Sequence, residues 1–228
     1  MALIELTVEL LEKKWLTDDT LFFSFKIPHS FSFQAGQYIM VKTKKDVETK
    51  WRAYSVLNPP FQKEHLELCI KIVPGGFASE FFKQLEVGTK VSVKGPIGGL
   101  LFDSSSEEHW FICAGTGIAP FYSMITENIS QFPQKKFKLI MGARYHNNLL
   151  FHQEFLNLAE KYSNFEYMPT LSREKWAGKT GHVQQHISGD LQGKTFYICG
   201  LKELVLETKE LLLKNNVPIN RIRVERYN

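Results

Sequence analysis

The sequence predicts two domains of different class, an antiparallel β-barrel or sandwich over residues 1–103 and a parallel α/β sheet over residues 104–228. Three observations predict it. Six short strand patterns, separated by turn chemistry, fill most of the first hundred residues. The stretch DSSSEEH, Asp103–His109, is polar and charged and reads as a domain boundary. Beyond it, apolar strand patterns alternate with helical ones, the order that builds a parallel sheet with helices on both faces.

The elements follow in order. IELTVEL (4–10) alternates apolar and polar residues, and TLFFSFKI (20–27), QYIMVKT (37–43), AYSVL (53–57), LELCIKIV (66–73) and KVSVKG (90–95) continue the series. Thr17-Asp18-Asp19 and Pro59-Pro60 mark turns between them. GGFASEFFKQL (75–85) interrupts the strands with a short helix opening at Gly76 or Phe77. In the second half, strands are expected near 110–114, 137–142, 165–171, 195–199 and 222–225. FHQEFLNLAEKY (151–162) puts Phe151, Phe155, Leu158 and Tyr162 on one helix face. KELVLETKELLLK (202–214) is the next clearest helix, with Glu210 and Lys214 spaced to pair.

Composition excludes several classes. With 228 residues and 43% hydrophobic content, the chain can bury one large core or two smaller ones. The net charge of +4 is spread over both halves, so there is no basic stripe for nucleic acid, but anionic ligands or an acidic partner would suit it. Three widely spaced cysteines, Cys69, Cys113 and Cys199, make neither a disulfide framework nor a four-thiolate iron–sulfur site. Glu5 and Glu9 break the opening apolar pattern, which is not that of a signal peptide, and no apolar run approaches ~20 residues. The expectation is a soluble cytoplasmic protein, with no membrane insertion, acting as a monomer.

Ligands of open parallel sheets sit beyond the carboxyl ends of the strands. FICAGTGIAP (111–120) reads there as a buried strand, a glycine turn and a helix start, where backbone N–H groups can face a pyrophosphate. Pro120 stands where the dinucleotide fingerprint has its third glycine, and it suits a first helical turn. Taken alone, the hexapeptide Gly115–Pro120 equally suits a tight turn with no ligand. At Cys199-Gly200, glycine admits close approach and the thiol faces the same crevice; a lone core cysteine is the plainer alternative. GARY and LSRE carry Arg144, Ser172 and Arg173, which suit the adenosine end of a nucleotide and its 2′-phosphate. In WRAYSV (51–56), alternation puts Arg52 and Tyr54 on one face and Ser55 on the other. Ser79 falls in the first turn of the short helix, as an anion contact or as a simple cap.

Together the motifs resemble the ferredoxin–NADP reductase family of flavoproteins. R-x-Y-S at Arg52–Ser55, G-x-x-S at Gly76–Ser79, G-P-x-G at Gly95–Gly98, G-T-G-I-A-P at Gly115–Pro120, C-G at Cys199–Gly200 and V-E-x-Y at Val224–Tyr227 occur in the family's order across nearly the whole chain. The resemblance implies a Greek-key FAD-binding barrel and a Rossmann-like five-stranded NAD(P)-binding domain. Arg52 would pair with the FAD pyrophosphate, Tyr54 stack on the isoalloxazine and Ser55 bond near flavin N5. Ile70, Lys71, Val73, Gly76, Phe77, Ala78 and Ser79 would complete the FAD site. Gly115, Thr116, Gly117 and Pro120 would line the nicotinamide nucleotide, with Arg144, Ser172 and Arg173 on the 2′-phosphate. Cys199 would sit where nicotinamide C4 meets flavin N5, with Gly200 beside it, and Glu225 would help align the reacting atoms. Tyr227 would cover the flavin, although here it is penultimate to Asn228.

The implied activity moves electrons between NAD(P)H, with NADPH favoured by the arginines, and a ferredoxin or flavodoxin. GGFAS and WAGKTGHV look more like NADH-dependent reductases of oxygenase systems. A free-flavin reductase is the other alternative; in those relatives proline commonly follows the arginine, whereas Ala53 follows Arg52 here. Lys42, Lys44, Lys45 and Lys50 cluster before Arg52 and suit an acidic carrier, or form a solvated hairpin with Asp46 and Glu48. His182 and His186 are spaced i, i+4, but no motif supplies a third ligand, and no metal is expected.

Overall fold

A computed structural model of the chain describes residues 3–227. They form two units: the chain up to Leu101 together with Ala119–Glu127, and Phe102–Ile118 together with the chain from Asn128 onwards. Asn228 lies outside the described residues.

The first unit is a curled antiparallel sheet of β1 (Ile4–Trp15), β2 (Thr20–Lys26), β3 (Tyr38–Lys45), β4 (Glu48–Ser55), β5 (His65–Lys71) and β6 (Lys90–Ile97), in the order β4-β3-β6-β1-β2-β5. Alternation turns Val8, Leu10, Phe23, Phe25, Ile39, Val41, Leu66, Leu68, Val91 and Val93 into one core. Helix α1 (Phe77–Gln84) adds Phe82, whose ring lies 5.1 Å from Phe23 and 5.1 Å from Tyr54.

The fourth strand lies earlier than the AYSVL pattern suggests, because Val56 and Leu57 leave the ladder. The Val56 N–H donates to Gln37 O, and the Leu57 N–H donates to Glu67 O at 2.9 Å, across to β5. Fully buried Asn58 continues this seam: its Nδ2 donates to His65 O and its Oδ1 accepts the Glu67 N–H, both at 2.8 Å. Pro59 and Pro60 have no N–H with which to extend a ladder. Helix α2 (Ala119–Asn128) joins this unit through Ser123, whose hydroxyl donates to Asn58 O at 2.8 Å. Gly36, at φ +95°, admits no side chain, since a Cβ would stand 2.0 Å from Leu100 O.

The second unit is a parallel sheet of β7 (Glu108–Ala114), β8 (Lys136–Ala143), β9 (Phe165–Leu171), β10 (Lys179–Thr180), β11 (Thr195–Leu201) and β12 (Ile222–Tyr227), in the order β10-β9-β8-β7-β11-β12. The five expected strands are present. The two-residue β10 adds a sixth, pairing Lys179 with Thr170 and Thr180 with Leu171. Strands buried on both faces read as the continuous apolar runs seen at 110–113 and 196–199. Helix α3 (His152–Lys161) packs Phe155 on Phe165 and Tyr167 of β9. Helix α4 (Lys202–Lys214) buries Val205 and Leu212 with Ile198 and Ile222, and its Glu210–Lys214 pair closes at 2.8 Å.

Near the amino end of β7, His109 is fully buried among the rings of Phe102, Phe137 and Tyr197. Its Nε2 lies 3.1 Å from Ser106 O, while the Tyr197 hydroxyl accepts the Asp103 N–H at 2.9 Å. Among the described residues no helix is long and apolar enough to cross a membrane.

Candidate functional site

In the first unit, the candidate residues gather where β4 meets the start of α1. Register pairs Arg52 with Val41 and Tyr54 with Ile39, so both side chains take the sheet face opposite to that of Ser55, which pairs with Tyr38 and is buried. Arg52 is exposed, and its Nη1 donates to the neighbouring Trp51 O at 3.1 Å. No carboxylate among the described residues pairs with it at salt-bridge distance. Tyr54 is half-buried against the core, and burial raises its phenol well above the usual tyrosine range.

The turn from Val73 to Ser79 is closed twice. The Gly76 N–H donates to Val73 O at 3.0 Å, and the Val73 N–H donates to Ser79 Oγ at 2.9 Å. A Cβ on Gly76 would stand 3.1 Å from both Val73 O and Ser79 Oγ, so the turn favours glycine. No side chain caps α1. The Phe77, Ala78 and Ser79 N–H groups therefore have no partner within the helix, and the Ser79 hydroxyl retains its own proton to donate. Three N–H groups, a hydroxyl and an arginine without a carboxylate make a donor set that fits a pyrophosphate.

The strand candidates divide by role. Ile70 is a core side chain and offers only its backbone. Lys71 is held by Asp19 at 2.6 Å, an ion pair the sequence did not signal. Val73 is 53% exposed and is free to contact a ligand.

In the second unit, Gly115–Ile118 forms a 3-10 turn between β7 and α2, an insertion the motif did not reveal. Gly115 sits at φ +54° with nothing within 4 Å of a Cβ position, so the backbone is open to a ligand there. Gly117 is the opposite case: a Cβ would lie 2.4 Å from Cys199 O and 3.1 Å from Gly200 Cα. The turn therefore rests directly on the end of β11. Thr116 is half-buried in the turn, and Pro120 is the second residue of α2, where a missing N–H costs nothing.

Cys199 is fully buried and pairs in register with Cys113 on one side and Glu225 on the other. Burial, with the Glu225 carboxylate nearby, pushes its thiol well above the usual range, and a hydrogen bond with Tyr227 opposes this. At neutral pH it is therefore a thiol rather than a nucleophilic thiolate. Tyr227 belongs to β12, paired with Leu201.

Beyond β8 and β9, the Ser172 N–H donates to Ala143 O at 2.9 Å and the Arg173 N–H to Arg144 O at 3.0 Å. These bonds bring Arg144, Ser172 and Arg173 together at neighbouring strand ends, with both arginines exposed. Strands lie ~4.8 Å apart, so the cluster stands one to two spacings from the end of β7 and its glycine turn, the reach of a nucleotide's adenosine half. Glu174 was not anticipated: its Oε2 accepts the His146 N–H at 2.7 Å, beside the two arginines. Its adjacency to Arg173 was the only sequence signal.

Two expectations change. The lysine cluster divides, because Lys42 and Lys44 take one face of the hairpin while Lys45 and Lys50 take the face of Arg52. Lys45 pairs with Glu80 at 2.7 Å and Lys50 with Glu48 at 2.8 Å. His182 and His186 do not share a helix face, because Val183–His186 is a single 3-10 turn and His186 Nε2 lies 3.0 Å from Thr170 Oγ1.

Comparison with known proteins agrees with this layout. Residues 7–102 match the oxidoreductase FAD-binding domain family and residues 111–210 the oxidoreductase NAD-binding domain family. Ferredoxin–NADP reductase B of Sorangium cellulosum is 32% identical over 213 residues, covering 87% of this chain and 86% of that protein. The reductase component of phenol 2-monooxygenase from a Pseudomonas species is 31% identical over 89% of this chain, which spans only 60% of that component. Among solved structures, the cytochrome P450 reductase of Amycolatopsis superposes with a TM-score of 0.91 at 25% identity, over 98% of this chain and 70% of that one. The ferredoxin–NADP+ reductase of Neisseria gonorrhoeae, with bound FAD and NADP, shares the fold with a TM-score of 0.87 at 23% identity, over 97% and 98%. The chain belongs to the ferredoxin–NADP reductase family and is an FAD- and NAD(P)-binding oxidoreductase.

Proposed function

We propose that the protein moves electrons between NADPH and a one-electron carrier, a ferredoxin or flavodoxin, by way of bound FAD. FAD supplies chemistry that no side chain has, accepting two electrons as hydride from a nicotinamide and releasing them singly. Arg52 and the first turn of α1, Gly76–Ser79, hold its pyrophosphate. Tyr54 flanks the ring system, and Ser55 donates a hydrogen bond to it. Gly115, Thr116, Gly117 and Pro120 hold the nicotinamide nucleotide, with Arg144, Ser172 and Arg173 on its 2′-phosphate. Cys199, Glu225 and Tyr227 orient the reacting end. The observation that carries this reading is the glycine turn seated on the backbone of Cys199, open at Gly115, in a chain that also has an FAD-binding domain.

A second reading keeps the chemistry and changes the donor and carrier: an NADH-fed reductase of an oxygenase system. Similarity to the phenol 2-monooxygenase component favours it. So does Glu174, whose carboxylate beside the arginines suits a ribose diol better than a phosphate. Anaerobic titration of the purified flavoprotein with NADPH and with NADH separates the two. Arg173→Ala is expected to lower the NADPH-to-NADH preference about tenfold. An unchanged ratio overturns the 2′-phosphate assignment. FAD lost on gel filtration would instead favour a free-flavin reductase.

Lys42 and Lys44 are the lysines of the hairpin left for a carrier. Both are exposed, and Lys42 and Lys94 flank Trp51 at 6.0 and 4.1 Å from the ring centre. An acidic protein surface is their natural complement. Reduction of cytochrome c through an added ferredoxin should slow as salt rises from about 50 to 300 mM, and less so in Lys42→Gln/Lys44→Gln. A flat salt response excludes electrostatic docking.

A further inference from the structure

We infer that Lys50 is a second cation of the FAD pyrophosphate site, held in reserve by Glu48. The inference rests on the placement of that pyrophosphate between Arg52 and the start of α1.

Lys50 lies two residues before Arg52 on the same strand, so the two side chains share a face. Its Nζ stands over the Phe77 ring, 4.6 Å from the centroid. Phe77 is the first residue of α1, and its N–H is one of the three donors left open there. The lysine ammonium is thus brought to the positive end of a helix, toward the face of an arginine without a carboxylate. Two cations on one strand face beside a helix N-terminus repel one another unless an anion joins them, and in the empty site Glu48 does so for Lys50 alone. A pyrophosphate in FAD carries two negative charges, which matches the two side chains.

The carboxylates nearby are accounted for. Glu80, in the first turn of α1, is held by Lys45 at 2.7 Å. Glu48 holds Lys50 at 2.8 Å, with side-chain exposures of 58% and 38%. An exposed pair of this kind is weak, and the lysine stem is flexible. Lys50 can therefore exchange a carboxylate for a phosphate oxygen while staying over Phe77. Glu48 competes with the cofactor for it, so removing the glutamate and removing the lysine should have opposite effects.

The test is a fluorescence titration of apoprotein with FAD at two ionic strengths. Lys50→Gln is expected to raise the Kd about tenfold and to flatten its salt dependence, with Lys50→Arg restoring most of both. Glu48→Gln is expected to lower the Kd. Lys90→Gln, on the other face of the sheet, controls for net charge and should match the wild type. Arg52→Ala separates the two levels of the argument. If Arg52→Ala weakens FAD binding and Lys50→Gln stays within about twofold of the wild type, the inference is overturned and the cradle stands. If neither variant moves the Kd, the placement of the pyrophosphate is itself wrong.

Discussion

Alanine at Gly117 is expected to slow the reduction of bound FAD by NADPH or NADH about a hundredfold, with FAD content unchanged. The cause is steric and local. The added Cβ would lie 2.4 Å from Cys199 O and 2.8 Å from Cys199 C, both backbone atoms at the end of β11. A flexible side chain could swing aside, but a strand in a parallel ladder does not. Cys199 is tied in register to both Cys113 and Glu225. The glycine turn must therefore lift by an amount on the order of 1 Å, which is enough to misplace a reacting group by the same distance. On the proposed function, the N–H groups of the turn would then no longer meet the nucleotide in the geometry that hydride transfer needs. The barrel is untouched, so FAD should remain. Stopped-flow bleaching of the flavin under anaerobic conditions measures the rate. A rate within a few-fold of wild type would show that the turn does not position the coenzyme.

The second large effect is on stability against pH. Burial lowers the pKa of His109 from 6.5 to about 4, helped by the Lys135 ammonium and opposed by its bond to Ser106 O and by Asp103 and Glu107. The folded protein refuses a proton that the unfolded chain accepts. Between pH 6.5 and about 4 the unfolded state thus binds more protons, and stability falls as pH falls. The loss from this one group is on the order of 3 kcal/mol by the bottom of the window, with none above it. Carboxylates add their own losses at lower pH. Asp103, held far below the usual range by Ser105 and Arg223, and Asp19 and Glu108, lowered by lysine partners, lose stabilisation only as they protonate. Urea melts at pH 7.5, 6.0 and 5.0 sample the histidine window before theirs. His109→Phe keeps a ring among Phe102, Phe137 and Tyr197 and should remove most of the slope, leaving the part due to His152, which burial also lowers. An unchanged slope would assign the pH dependence elsewhere.

Much of this architecture was legible because burial writes a period into the sequence. The alternation of β1 and β6 and the apolar runs of β2, β7 and β11 each located a strand. The helix faces of α3 and α4 were equally plain. The misplaced fourth strand shows the limit: Val56 and Leu57 continue the apolar pattern of AYSVL, but their N–H groups serve Gln37 and Glu67 instead of a ladder. Apolar character reports burial, not the partner of the backbone. The same limit hid Asn58, whose side-chain bonds to β5 depend on a fold already formed. The turns were legible from their glycines, since Gly76 sits in a tight one and a Cβ on Gly117 would meet the backbone of Cys199. Charged residues were less so. Lys50 reads as a surface lysine until strand parity places it with Arg52, and Glu174 acquires meaning only once β8 and β9 are neighbours.

The seam at Asn58 also bears on how long the protein lasts in a cell. Among the described residues, β4 and β5 end the sheet and no ladder joins them; Leu57 and one buried amide close the gap. A closure made of so few bonds is where a barrel breathes first, and unfolding proteases act on chains that breathe. Arg52, Tyr54 and Ser55 lie on β4, the strand that borders this gap. FAD held by them, as proposed above, would clamp the strand, and ligand linkage would stabilise the closed form by about 4 kcal/mol at a thousandfold excess over Kd. Turnover of the protein is therefore expected to follow flavin supply, with the empty chain degraded faster than the loaded one; equal half-lives of the protein in flavin-starved and flavin-fed cells would overturn this.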